Sequence, residues 1–556
     1  MWLAVVAILL FFFLSMDSLI DDSPTMDEQN HIARGLAFLR TGDPRLSLEH
    51  PPFINTLSAL PLLTMPELRL PFDHPSWERR EGWYEFADLF LWQYNTDADR
   101  MVFLARLPIV FITLALALAG YRSAGHIWGG AAALPALLLF LFEPNLLAHG
   151  RYSTTDLGAT LFTFQTTLML WRLWRRPNRF SWRLLILTAI VMGLAFGSKL
   201  SALGFALIWF ILALLPFYQD SKGHGHYARA ALRRILQLLA TGLLSLVVVW
   251  LTFGLQWGHF EFSTDTLRQL NHWAGPMPTF WAGLEQITLL GGGGRSIAFM
   301  FGHFSEGGWL LYFPAAFAVK TPIPILLLFT IGGILLLREK STRTRVLFLL
   351  VSAFTFYMLA MQSALNIGYR HVLPALPYVL LVASGLAAPE VQARMRGWLS
   401  PRGLLMGGCI SLIIITLTIH PLYLSYFNLA AGGSSNGYRI LTDSNVDWGQ
   451  DLIRLKQWMQ ENDVQSVNLG WFGTANPDYY EIQYNPLPGL GRDQFFRLWW
   501  EPPFDLMNPA PGVYAISASS IWEPPLRVEE KQVYAWFRDR EPDDRIGHSI
   551  LIYYVQ

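Results

Sequence analysis

Two acidic residues stand side by side at Asp27-Glu28, and a third, Asp156, heads an apolar run far downstream. Cations accompany them: Arg151 in Gly150-Arg151-Tyr152, Lys199 in Gly197-Ser198-Lys199, and Arg370 in Gly368-Tyr369-Arg370-His371. His50 precedes two prolines in Glu49-His50-Pro51-Pro52. Each has a plain reading on its own. Carboxylates cap helix N-termini, Lys and Arg snorkel at span ends, and two prolines fix a turn that happens to hold a histidine. His31 lies three and four residues after Glu28 and Asp27, close enough to share a helical face with either, but one carboxylate–histidine pair does not make a metal site. Taken together the set suits transfer from a phosphate leaving group. A carboxylate would take the proton of an acceptor hydroxyl, and cations or a metal would stabilise the departing phosphate.

The chain that must position these groups is 556 residues long, 53% hydrophobic and only 15% charged, with a mean hydropathy of +0.32. Soluble chains carry about 25% charged residues, so this composition predicts a polytopic α-helical membrane protein. The 41 basic and 41 acidic residues leave no basic field for nucleic acid. A single cysteine, Cys409, excludes a disulfide framework and a thiolate metal site. It lies in an apolar run and reads as a core residue.

About eleven apolar runs approach the roughly 20 residues a span needs. They centre on 2–20, 102–121, 126–142, 157–174, 182–198, 200–217, 234–256, 320–337, 345–362, 371–387 and 403–422. The first lacks a positive leading region and a clear cleavage site, so it reads as an uncleaved span. With the N-terminus inside, the cytoplasmic loops hold Arg122; Arg172, Arg175, Arg176, Arg179 and Arg183; Lys222, Arg229, Arg233 and Arg234; Arg338, Lys340, Arg343 and Arg345; and Arg394, Arg396 and Arg402. The short outer loops hold Arg151, Lys199 and Arg370. This bias puts a first outer loop, 21–101, a second, 257–319, and everything from 428 on the extracytoplasmic side.

In the first outer loop Ile32, Leu36 and Leu39 recur at helical spacing and Gly42 ends the run, which predicts an amphipathic helix lying on the membrane. Gly291–Gly294 and the apolar Trp309–Val319 suggest a flexible segment covering a substrate. The tail, 428–556, reads as a small α/β domain. Its strand-like runs are Tyr438–Asp443, Val464–Trp471, Gly512–Ala518 and Ser549–Val555, and its helix-like runs are Trp448–Gln460 and Glu529–Arg538. Asp443, Asn445, Asp447 and Asp451 fail the calcium-loop template and read as an acidic turn capping the helix that follows.

Asp27-Glu28, His50-Pro51-Pro52, Arg151-Tyr152 ahead of Asp156, and Tyr369-Arg370-His371-Val372-Leu373-Pro374 resemble the type C (GT-C) membrane glycosyltransferases. The likeness is to the protein O-mannosyltransferase branch and the related aminoarabinose (lipid A) transferase. It covers residues 1–427 and is strongest before residue 205. It implies a bacterial plasma-membrane enzyme that moves a sugar from a polyprenyl-phosphate donor to a lipid, glycan or protein hydroxyl. It also implies Asp27 as general base, Glu28 and Asp156 as further acidic groups, and His50, Lys199, Arg370 and Arg151 as binders of the donor phosphate. A divalent cation, Mg or Mn, held by Asp27, Glu28 and Asp156 would fit the same pattern. His50 stands where the aminoarabinose transferase pattern has a lysine, and loop 257–319 is too short for the sugar-binding-type domain of the mannosyltransferases. A multispan transporter or lipid flippase is the competing class; it predicts charges within spans and inverted repeats.

Overall fold

The computed structural model describes residues 2–175, 181–217, 224–292, 298–392, 400–490, 498, 499, 505, 507–523 and 532–556. Arg176, Arg179, Lys222, Arg394, Arg396, Gly293, Gly294 and the start of the Glu529–Arg538 run lie outside the described residues.

Every apolar run forms a helix or a helix pair. Six helices are long and apolar enough to cross a membrane: Trp2–Ile20, Ala98–Trp128, Tyr227–Thr252, Lys340–Ala360, Tyr369–Ala387 and Pro401–Ile419. A seventh span is made if Tyr312–Lys320 and Ile323–Arg338, bent by 109°, count as one. The remaining runs fold into shorter apolar helices, Gly130–Leu141, Trp182–Ser198 and Leu200–Leu214, and the threonine-rich Asp156–Trp174. The expected eleven runs are therefore all present as elements, while fewer reach spanning length as single helices. The reason is visible at the breaks: Gly129 with φ +99° and Thr321-Pro322 interrupt what hydropathy alone reads as continuous apolar sequence, and the extended Lys199 parts the two short runs 182–198 and 200–217.

Burial sorts these helices. Leu232, Leu236, Leu239, Leu243, Val247 and Leu251 recur every three or four residues along one helix and are all more than half exposed. Such a stripe would be untenable in water and is matched by lipid. Tyr369–Ala387 is the opposite, 89% buried. Its first turn, Tyr369–Ala375, is a tighter 3₁₀ helix containing Pro374, because proline removes an α-helical donor. Asp156–Trp174 is also central. Thr160, Thr163 and Thr167 return their hydroxyls to the carbonyls four residues earlier, which lets polar side chains pack without unsatisfied donors. Cys409 is buried, as expected.

The helix expected from Ile32, Leu36 and Leu39 is Glu28–Thr41, closed by Gly42 at φ +70°. All residues from Glu28 to Ala37 are buried, because the helix is wedged between Pro52–Ala59 and Trp83–Asp88. Gly35 permits the approach: a Cβ there would fall 2.0 Å from the Asn55 carbonyl oxygen. Trp309–Val319 is not a covering loop. It enters the helix Tyr312–Lys320, with Tyr312, Phe313 and Ala316 buried.

The tail contains the expected α/β layer. Its five strands run in the order 544–546, 550–555, 512–517, 467–470, 484–486, antiparallel on one side and parallel on the other. Helix Leu452–Glu461 packs nearby. Tyr438–Asp443 is not a strand: Ser434–Arg439 and Asp443–Asn445 are 3₁₀ turns, with Asp443 in the left-handed region at φ +57°. The acidic turn does not cap its helix. Asp447 accepts the backbone N–H groups of Gly449 and Ser519, and Asp451 is taken by Arg454 and by the Ser549 hydroxyl at 2.5 Å.

Candidate active site

The polar residues of the outer loops converge at one end of the bundle. Helix Ala98–Trp128 fixes the geometry. Arg106, near its start, bonds Glu28, whereas Trp128, at its far end, bonds the Leu381 carbonyl oxygen and carries Arg345 over its ring at 5.4 Å. Twenty-two residues of helix at about 1.5 Å each place these ends roughly 33 Å apart.

Asp27 occupies the N-cap position of Glu28–Thr41 but makes no capping hydrogen bond. Its Oδ2 accepts instead from Arg370 Nη1 at 2.8 Å, and 22% of its side chain remains exposed. Arg370 is held from below by Trp448, whose ring centre lies 4.2 Å from the guanidinium carbon. The Trp448 carbonyl oxygen accepts the Met26 N–H at 2.9 Å. One tail residue thus props the cation and fixes the backbone that presents the carboxylate.

Asp156 forms the second pair. Its Oδ1 accepts from Lys199 Nζ at 2.5 Å, while Oδ2 is buried with no hydrogen-bond partner among the described residues. The break between two apolar helices at Lys199 therefore has a purpose: the extended residue turns its ammonium inward. The Arg370 charge acts on Asp27, Asp156 and Asp443 alike, so the two ion pairs share one electrostatic neighbourhood.

Histidines line that neighbourhood. The rings of His31 and His50 meet edge to face at 4.8 Å, and His31 Nδ1 lies 2.9 Å from the Asn55 side-chain oxygen. Burial pushes His31 down to about 4 and His149 to about 3. His50 is held well below its ordinary value by burial, with His31, Arg34 and Lys199 adding to the effect. Burial thus disfavours the charged form of each of these rings while no anion is bound. Burial raises Asp443 to about 6 although Arg370 opposes it.

Glu28 and Arg151 are each enclosed by protein partners. Glu28 is fully buried. Its Oε1 accepts from Arg106 Nε at 2.8 Å and Ser153 N at 2.8 Å, and its Oε2 accepts from Arg106 Nη2 at 2.7 Å, Thr25 N at 2.9 Å and the Thr25 hydroxyl at 3.1 Å. Arg151, expected on the donor phosphate, is committed to Asp22 at 2.9 Å, the Ser18 carbonyl oxygen at 2.8 Å and the Tyr152 hydroxyl at 3.0 Å. Asp22 also takes Arg454 from the tail at 2.7 Å. These two clusters tie the first outer loop to the helix ends and the tail.

Among the described residues no three His, Cys, Asp or Glu side chains are arranged to hold a metal. Asp27 and Asp156 each face a cation, and Glu28 is enclosed by donors.

Residues 84–265 match the family of dolichyl-phosphate-mannose-protein mannosyltransferases, so the likeness to that branch read from the sequence is borne out over this stretch. It includes Arg151, Asp156 and Lys199 and leaves Asp27 and Arg370 outside. Two solved structures are similar to the chain. ArnT from Cupriavidus metallidurans bound to undecaprenyl phosphate is 12% identical, with 99% of this chain and 97% of that one covered and a TM-score of 0.49. The apo state of the same protein is 13% identical over the same shares, with a TM-score of 0.44. No curated protein matches the sequence significantly.

Proposed function

We propose that the protein is a membrane glycosyltransferase that moves a sugar from a polyprenyl-phosphate donor to a hydroxyl acceptor on the extracytoplasmic face. The observation that carries the reading is the Asp27–Arg370 pair, a partly exposed carboxylate beside a buried, propped guanidinium. The neighbouring Asp156–Lys199 pair supplies a second cation. The match over residues 84–265 to a family acting with a lipid-phosphate sugar supports the substrate class.

In this mechanism Arg370 and Lys199 bind the phosphate oxygens of the donor. The acceptor oxygen attacks the anomeric carbon in line with the phosphate. The new C–O bond forms as the bond to the phosphate oxygen breaks, and that oxygen leaves with the electron pair, inverting the carbon. Asp27 takes the hydroxyl proton as the bond forms, when attack has acidified it. The phosphate's arrival gives Arg370 a second anionic partner, which frees the Asp27 carboxylate to act. His50 and Arg151 are not phosphate ligands in this scheme. The charge bias of the loops supports an Asp27 end outside the cytoplasm, and the acceptor in this reading is a lipid, glycan or protein hydroxyl.

Asp27→Asn tests the reading. Asn keeps the shape and still accepts from Arg370, but it cannot take a proton. With purified protein and a lipid-phosphate sugar, turnover should fall by about 10²–10⁴-fold, with donor binding little changed. Turnover close to wild type would remove Asp27 as the base.

A further inference from the structure

The lipid-facing row of the helix that ends at Thr252 does not stop with the helix. Leu243, Val247 and Leu251 recur at four-residue spacing, each more than half exposed. Leu255 takes the next place in that spacing and is 50% exposed, although the helix has ended. Gly254 and Leu255 lie in the left-handed region, at φ +65° and +57°, where a leucine is rarely found. The chain then forms an antiparallel ribbon, Trp257–His259 against Ala274–Pro276, which the Phe260 N–H extends by donating to the Trp273 carbonyl oxygen at 3.0 Å. Trp257 is 63% exposed and Trp273 is 70% exposed.

The root of the ribbon is fixed. The Met277 N–H donates to the Gln256 carbonyl oxygen at 2.8 Å. The Gln256 side-chain amide and Thr279 exchange hydrogen bonds at 2.9 and 3.2 Å, and the Trp250 and Trp257 rings lie 6.0 Å apart. Gly254 rests on the first outer loop: a Cβ there would lie 3.2 Å from the Phe38 ring and 3.3 Å from the Gly42 carbonyl oxygen. The ribbon therefore stands at the end of the bundle that carries that loop, directly above a lipid-facing helix.

Two features say what covers it. Trp257 and position 260, the partner of Trp273, are an odd number of residues apart, so the register puts the two indoles on opposite faces of the ribbon. A protein partner would cover one face, whereas a fluid layer surrounds both. Tryptophan is also suited to the headgroup level of a bilayer, with its ring among apolar groups and its N–H on a lipid oxygen. Charge plays little part. Segment 257–276 has one basic residue, Arg268, and two acidic ones, Glu261 and Asp265. Asp265 pairs with Arg268 at 3.0 Å and Glu261 with Arg80 at 2.5 Å.

We propose that this ribbon docks into the lipid headgroup layer and anchors the second outer loop to the membrane surface. The inference goes beyond the glycosyl-transfer reading and does not depend on it. The anchor sets the height of the helix that follows, Pro278–Gly292. A Cβ on Gly283 of that helix would fall 2.1 Å from the Leu48 carbonyl oxygen and 3.2 Å from the Leu200 side chain, next to His50 on one side and Lys199 on the other.

The test is a depth measurement on the full-length protein in phosphatidylcholine vesicles. Trp257→Cys, Trp273→Cys, Asp265→Cys and Val247→Cys each carry a nitroxide label, with the buried Cys409 replaced by Ala. Power saturation compares collisions with oxygen, which concentrates in the bilayer, and with a water-soluble nickel chelate. The oxygen-to-nickel ratio at 257 and 273 should be several-fold above that at 265, whose side chain is 95% exposed, and below that at 247 in the lipid-facing row. The order should persist at high salt, because the docking is apolar. Leu270→Cys reads the same ribbon where a tryptophan variant does not fold. Labels at 257 and 273 as open to nickel as the one at 265 would put the ribbon in water. Labels shielded from both reagents would mean that protein, such as a second copy of the chain, covers it. Either result, or a difference that vanishes at high salt, overturns the anchor and leaves the glycosyl-transfer reading to its own test.

Discussion

Replacing Glu28 by Gln separates a structural carboxylate from a catalytic one. Glu28 is enclosed: two donors converge on Oε1 and three on Oε2. The Gln amide must put its NH₂ in place of one oxygen. At Oε1 it would face Arg106 Nε and the Ser153 N–H; at Oε2 it would face Arg106 Nη2 and the Thr25 donors. Either orientation turns at least two hydrogen bonds into donor–donor contacts. It also removes the charge opposite Arg106, which is 2% exposed and keeps only neutral acceptors close by: the remaining amide oxygen and the Asp22 and Ser23 carbonyl oxygens at 2.9 and 3.0 Å. Removing one member of a buried pair costs about 3–5 kcal/mol. Glu28→Gln should therefore show a poor yield of folded protein and an apparent unfolding temperature lower by several degrees, measured by intrinsic tryptophan fluorescence in detergent. The molecules that fold should turn over within a few-fold of wild type. A variant as stable as wild type with turnover down by 10² or more, the size of a lost acid–base group, would refute this and place Glu28 in the chemistry.

Arg370→Ala should weaken use of the lipid-phosphate donor more than use of the acceptor, read as separate KM values. Arg370→Lys should recover only part, because an ammonium cannot copy the guanidinium fork or stack on Trp448 in the same way. Trp448→Leu should raise the donor KM by up to about 30-fold, the equivalent of about 2 kcal/mol for a desolvated cation–π contact, while leaving general-base catalysis in place; an unchanged KM would show that Arg370 stands without its prop. Acid should destabilise the fold. His31 and His149, pushed down to about 4 and 3, bind protons in the unfolded chain below about 6.5 but not in the folded one. Stability should thus fall as pH drops from 6.5 towards 4, by up to about 1.4 kcal/mol per pH unit per histidine. Unfolding temperatures in His31→Gln should show a shallower slope, and an identical slope would exclude His31 as a contributor.

The chemistry-bearing positions were legible where residue type and loop placement coincided. Asp27, Asp156, Lys199 and Arg370 were identifiable as polar groups at the ends of apolar runs, and the structure pairs them two by two. Their pairing was not legible, because Asp27 and Arg370 are 343 positions apart and periodicity carries no information at that range. Arg106 was missed for a different reason. It lies inside the apolar run 102–121, and a charge within a span is itself a signal of a buried partner. His149 stood in a loop already marked as interesting, but a lone histidine has no spacing to distinguish it. The eleven apolar runs gave the helices and the break at Lys199, but not the breaks at Gly129 and Thr321-Pro322, since hydropathy is blind to backbone direction. The tail's strands followed from alternation, whereas Tyr438–Asp443 failed because alternating apolar residues there serve a 3₁₀ turn packed on the bundle.

The contacts between the two ends of the chain set a schedule for the protein's birth. Ser23 bonds the Gly449 carbonyl oxygen, a partner 426 residues later, Met26 bonds Trp448, and Asp22 waits for Arg454. Even Ser549 and Gly547 close on the same ring of partners, through Asp451 and Ser425. At roughly 5–20 residues per second, a ribosome finishes this span about 20–85 s after the first loop emerges. Throughout that interval the nascent chain holds Asp27 but neither the arginine's prop nor the backbone anchor that aims the carboxylate. Products cut short of the tail would lack both supports and should be inert rather than half-competent.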